Sequence, residues 1–173
     1  MGCDIHSVIE YVKFDFGFVD AFTQGEVEIP RDYKLFSAIA FGDGGITDDL
    51  PYPPRGLPPD FSSEVRELFF VPAEEVKALM EEMGDDEEFR PEEIAESWGE
   101  WAQKEYASWG NLPGHDWHTP SWLNFSELKE ALGHAGLKVD EWSHEFRAVF
   151  AAMQVLSEGY GAEKVRLVFW FDG

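Results

Sequence analysis

The chain is short of cysteine, of bases and of long apolar runs, and each shortage removes a class of function. Cys3 is the only cysteine. No disulfide can form within the chain, and the expected compartment is the reducing cytoplasm. Without a Cys-x-x-Cys pair, a structural zinc ribbon is excluded. Lys and Arg number 13 against 35 Asp and Glu, a net charge of −22. That surface repels phosphates, which excludes sequence-independent nucleic acid binding, and it is repelled by anionic membranes. No apolar run is long enough to span a bilayer, and no signal-peptide pattern opens the chain. N-myristoylation wants Ser or Thr at the sixth position, where His6 stands. No membrane partner is expected. A G-x-S-x-G nucleophile elbow and a phosphate-cradling P-loop are both missing. There is no internal repeat and no low-complexity linker.

What is present suits one packed domain over 1–173. Apolar residues make up 44% and aromatics 16%, with seven Trp and fifteen Phe. Such a chain can bury a core, and surplus rings can line a pocket. The charge is uneven. Residues 72–108 hold thirteen acids and three bases, nearly half of the net charge, and read as an inserted acidic helical hairpin. Its helices open at Pro72 and Pro91. Solubility is the first explanation of the charge, mimicry of nucleic acid the second, and attraction of a cation or basic partner the third.

Residues 3–14 alternate as a strand: Cys3, Ile5, Ile9 and Tyr11 on one face, Asp4, His6, Val8 and Glu10 on the other. Residues 18–29 return as a second strand with a turn at Gln24-Gly25, and 33–41 read as a short buried helix. A Gly/Pro-rich stretch from Gly42 to Asp60 disfavours regular structure, and a loop of that length is often functional. Residues 109–123, WGNLPGHDWHTPSWL, read as a second loop. Asn124 with Glu127 has capping-box spacing for a helix. A last helix is expected over 143–158 with Gly159 as its stop. VRLVFWFD at 165–172 reads as a central strand covered on both faces. The fold class is therefore α+β: a small sheet pairing the N- and C-terminal strands, covered by three to five helices. The two long loops are expected at one end of the sheet.

Three constellations could carry chemistry. Asp4 and His6 are two apart on a strand and so ~6–7 Å apart on one face. An acid there can share a divalent metal (Zn or Mn) with the imidazole or orient it as a base. Glu10, ~13 Å beyond His6, belongs to a different neighbourhood. His115, Asp116 and His118 place three potential ligands within four residues, and with Asp4 and His6 they complete a metal set that leaves room for water. Hydrogen bonding within the strand or loop is the plainer reading of both groups. Arg55, in a stiff Pro/Gly loop, can fork onto a phosphate or carboxylate, or clamp its own loop through Asp60 or another acid. Gly42-Asp43 and Gly110-Asn111 echo metallophosphoesterase motifs. The closing Gly-His-x-His and the repeated βαβ pattern are missing, so that fold is not expected.

Taken together, several motifs resemble an uncharacterised family found in phages and bacterial genomes. They are MGCDIH with Glu10, Tyr33 with Leu35-Phe36, RGLP at 55–58 with Asp60, His118 with Ser121-Trp122-Leu123 and Glu127-Leu128, and VRLVFWFD. Thr119 stands where that pattern has Ser, and the acidic 72–108 segment is a second departure. The resemblance implies a phage-type accessory protein. Such proteins include some that counter host defence by sequestering a nucleotide signal, which makes a small, nucleotide-like ligand the leading expectation. Arg55, Asp60, Ser121 and Trp122 are its expected contacts, and a homo-oligomer is allowed. One alternative is a metal-dependent hydrolase using Asp4, His6 and His118. The other is an acidic interaction protein or nucleic acid mimic.

Overall fold

The computed structural model describes residues 4–23, 25–41, 49–70 and 118–172. Cys3, the 42–48 glycine run, the acidic 72–108 segment, His115 and Asp116 lie outside these residues. Five strands are described: β1 (Ile5–Val12), β2 (Phe18–Asp20), β3 (Glu26–Ile29), β4 (His118–Asn124) and β5 (Val165–Phe171). Four α-helices accompany them: α1 (Tyr33–Phe36), α2 (Ser63–Phe69), α3 (Phe125–His134) and α4 (His144–Tyr160). This is an α+β fold in which the N- and C-terminal strands pair.

The sheet is antiparallel throughout, in the order β2-β1-β5-β4, with β3 pairing β1 beside β2. β5 is central and every one of its residues is buried. Its alternation feeds two cores. Leu167, Phe169 and Phe171 join Ile5, Ile9 and the inner faces of α3 and α4, including Leu128, Leu132, Phe146 and Met153. Val168 and Trp170 join Val8, Leu57, Phe61, Val65 and Phe69 on the opposite side. The Pro-rich loop and α2 thus roof one face of the sheet, and the other helices cover the second. Each large apolar side chain so enclosed stabilises the fold by roughly 1.5–3 kcal/mol.

Ser7, Glu10 and Arg166, buried within this frame, are matched. Ser7, which interrupts the apolar face of β1, donates its hydroxyl to the Val27 carbonyl at 2.9 Å. Buried Glu10 and Arg166 face each other across β1 and β5 and pair at 2.6 Å. Glu10 also accepts the Ser62 N–H at 2.6 Å, and Arg166 reaches the Asp60 carboxylate at 2.7 Å. This network ties the Pro-rich loop to the sheet.

Several elements differ from the sequence expectation. Residues 18–29 form two short strands on one side of β1. The 33–41 helix changes after one turn into a π-helical stretch, Ser37–Phe41. Residues 63–69, for which the sequence suggested no element, form α2, with the Ser62 hydroxyl accepting the Val65 N–H. His118–Asn124 is a strand and not loop. Its register shifts between His118 and Ser121, and Thr119 takes φ 51°, which lets Pro120 sit within it. The capping box at Asn124 and Glu127 is formed. α4 runs past Gly159 to Tyr160 and is closed by Gly161 at φ 95°.

Candidate functional site

At one end of the sheet, the start of β1 meets the end of β5 and the start of β4. His6 pairs with Trp170 across the strands, and their rings stack at 5.6 Å with 8° between planes. The imidazole lies between two acids. Its Nδ1 is 2.6 Å from Glu26 Oε1 on β3, and its Nε2 is 3.4 Å from Asp172 Oδ2. Asp172 Oδ1 accepts the Asp4 N–H at 2.8 Å, and Asp4 Oδ1 accepts the Arg31 N–H at 3.1 Å. Glu26, His6, Asp172, Asp4 and Arg31 therefore form a continuous polar chain along the sheet end.

His118 enters from the other side. It is the register partner of Phe171, lies 5.8 Å from that ring and 6.3 Å from Phe41, and contacts Thr119 Oγ1 through Nδ1 at 3.0 Å. Phe41 stacks on Phe36 at 4.3 Å. An aromatic wall thus stands beside His118, with Phe36 and Phe41 only half-buried.

The electrostatics follow from these contacts. The hydrogen bond that His6 donates to the Glu26 carboxylate raises its pKa; burial opposes it, and the Asp172 contact adds to the rise. Burial lowers the His118 pKa, and the negative charge of Asp172 resists that fall. For Asp172, burial pushes the pKa up, but the Asp4 N–H and His6 outweigh it and hold the carboxyl below its ordinary value. One carboxylate, at the end of the central strand, thus acts on both imidazoles.

Asp4 and His6 adjoin through Asp172. His6 and His118 do not converge. β5 separates their strands, which puts the two backbones about 10 Å apart. The strand register also turns His6 toward Trp170 and His118 toward Phe171, on opposite faces. The two acids beside His6 approach different ring nitrogens, so they do not surround one point. Among the described residues, no group of three or more His, Cys, Asp or Glu side chains could hold a metal ion. The structure therefore does not place Asp4, His6 and His118 in one coordination sphere.

Arg55, Ser121 and Trp122 gather about the Trp122 ring, and Asp60 pairs instead with Arg166, so their polar groups are engaged within the protein. The Arg55 guanidinium lies 3.7 Å over that ring. Its Nε and Nη2 donate to the Trp122 carbonyl at 3.0 and 2.8 Å, and Nη1 and Nη2 grip the Glu127 carboxylate. Ser121 Oγ accepts the Arg55 N–H, and Asp60 holds Arg166. Arg55 thus clamps its own loop onto β4, through Glu127 and not Asp60. Four of its five N–H donors are used.

Sequence reasoning missed Glu26 and Arg31, whose roles depend on strand pairing. A separate open groove of about 940 Å³ is walled by Tyr33, Lys34, Leu50, His134 and Glu141. Lys34 and Glu141 pair there at 2.5 Å, and none of the candidate metal or ligand residues named from the sequence is among its described lining residues. Among the described residues, no helix is long and apolar enough to cross a membrane. No protein-family model, curated protein or solved structure matches the chain.

Proposed function

We propose that the chain is a phage-type accessory protein that binds a small nucleotide-like ligand at the sheet end formed by Asp4, His6, Glu26 and Asp172. The supporting observation is the position of Asp172, which accepts the Asp4 N–H and flanks the His6 imidazole opposite Glu26. Carboxylates accept hydrogen bonds from ring and exocyclic N–H groups of bases, and an imidazole beside them can donate or accept. That pairing suits a nucleobase edge. Arg55 and Trp122, engaged with each other, move to a supporting role. Sequestration of a nucleotide signal is the activity this implies.

The test is incubation with cyclic nucleotides, removal of free ligand, heat release and chromatography. The binding reading expects wild type to return the ligand intact and Asp172→Asn to retain at least about tenfold less, the loss expected when a charged hydrogen-bond acceptor goes. Undiminished retention by Asp172→Asn contradicts the site.

A metal-dependent hydrolase is the second reading. It is favoured by His115 and Asp116 lying directly before His118 in the chain. In this reading Asp4, His6 and His118 are the Zn or Mn ligands, with Asp116 or His115 as a further ligand or base. This reading expects stoichiometric metal in protein purified without chelator, its loss in His6→Ala, and a cleaved ligand on heat release.

A further inference from the structure

Resting on the binding reading above, we infer that Arg31 is the anion contact of this site, and that the ligand carries a phosphate. The described arginines differ in how their guanidinium groups are used. Arg55 and Arg166 are held by carboxylates and carbonyls. Arg147 donates to the Val139 carbonyl at 3.0 Å, and Arg66 lies 5.6 Å over the Phe61 ring. Arg31 is different. Its side chain is 59% exposed, and among the described residues the one carboxylate its guanidinium approaches is Asp4, with Oδ1 at 3.9 Å.

An exposed ion pair at that distance contributes little, so an incoming anion loses little by replacing it. The backbone beneath is fixed. The Arg31 N–H is bound to Asp4, Pro30 restricts the preceding residue, and Asp32 caps α1 immediately after through the Leu35 N–H at 3.0 Å. A rigid base therefore carries a side chain free to turn. A guanidinium can grip two phosphate oxygens with parallel N–H bonds.

Charge then orders the ligand. Asp4, Glu26 and Asp172 repel phosphate and accept N–H donors, so the base edge faces inward. The phosphate stays outside, on Arg31. A polyanion gains no such arrangement, because its remaining phosphates meet a chain of net charge −22. The chemical class is a single nucleoside phosphate.

Calorimetric titration of the full chain tests this with adenosine, guanosine, cytidine and uridine, each beside its 5′-monophosphate and 3′,5′-cyclic monophosphate. Wild type is expected to bind at least one phosphate form about tenfold or more tighter than its nucleoside, the worth of a charge-assisted contact. Arg31→Ala should abolish that ratio, weakening the phosphate form far more than the nucleoside, and Arg31→Lys should keep part of it. A ratio that survives Arg31→Ala overturns the assignment, as does equal binding of nucleoside and nucleotide by wild type. So does an equal loss of both in Arg31→Ala, which makes Arg31 a support for Asp4. If wild type binds neither class, the binding reading itself fails and this inference falls with it. An unchanged melting temperature in Arg31→Ala confirms that the variant is folded.

Discussion

At the scale of single residues, two histidines in one protein give opposite responses to pH. His6 has a raised pKa in the fold, so its protonation favours the folded state. Its contribution is complete below the unfolded value of about 6.5 and is lost as pH rises through the higher folded value. His118 has a lowered pKa. Folding disfavours its protonation, so stability is lost as pH falls from about 6.5 through the lower folded value. Melting curves across this range should show His6→Gln removing the loss on the alkaline side and His118→Gln removing the loss on the acid side. Variants that shift the curve in the same direction contradict the assignment.

Buried ion pairs make a second claim at this scale. Removing Glu10 leaves Arg166 buried, with Asp60 as its remaining carboxylate. Glu10→Ala should cost about 3 kcal/mol or more in urea denaturation. A loss below about 1 kcal/mol would show that Asp60 alone suffices.

At the scale of elements, helix α4 ends differently from its sequence signal. Gly159 looked like the stop because glycine commonly follows a helix. The chain instead takes one more helical residue and turns at Gly161, the position with φ 95°. Alanine at the two sites should therefore act in opposite directions. A Cβ at Gly159 meets nothing within 4 Å, and Gly159→Ala should stabilise by about 0.5–1 kcal/mol through helix propensity. Gly161→Ala meets no atom either, but it is strained by its backbone conformation and should destabilise by about 1 kcal/mol. Thermal denaturation of the pair decides the matter, and equal signs would contradict the cap.

Which elements were legible follows from how strongly a local pattern specifies them. β5 was readable because a strand buried on both faces is apolar at nearly every position. α3 was readable because its cap and its apolar spacing agree. β4 was hidden, since Thr119, Pro120 and Ser121 look like loop residues until a register shift on an edge strand accommodates the proline. α2 was hidden behind the proline run. At the site, Asp4 and His6 could be placed on one face from strand alternation. Glu26 and Arg31 could not, because their proximity arises from the pairing of β3 with β1. The opposite orientation of His6 and His118 also depends on register, which the sequence does not display.

At the scale of the molecule, the fold gives a strongly acidic chain a sheet end where Asp4, Glu26 and Asp172 gather about His6 beside an exposed arginine, with His118 on the opposite face. The proposed site depends on the Asp172 charge acting on the His6 imidazole. The most direct measurement is an NMR pH titration of the five imidazoles in wild type and in Asp172→Asn. Loss of that charge should lower the pKa of both His6 and His118. If His6 does not move, Asp172 does not act on its imidazole, and the proposed site is contradicted.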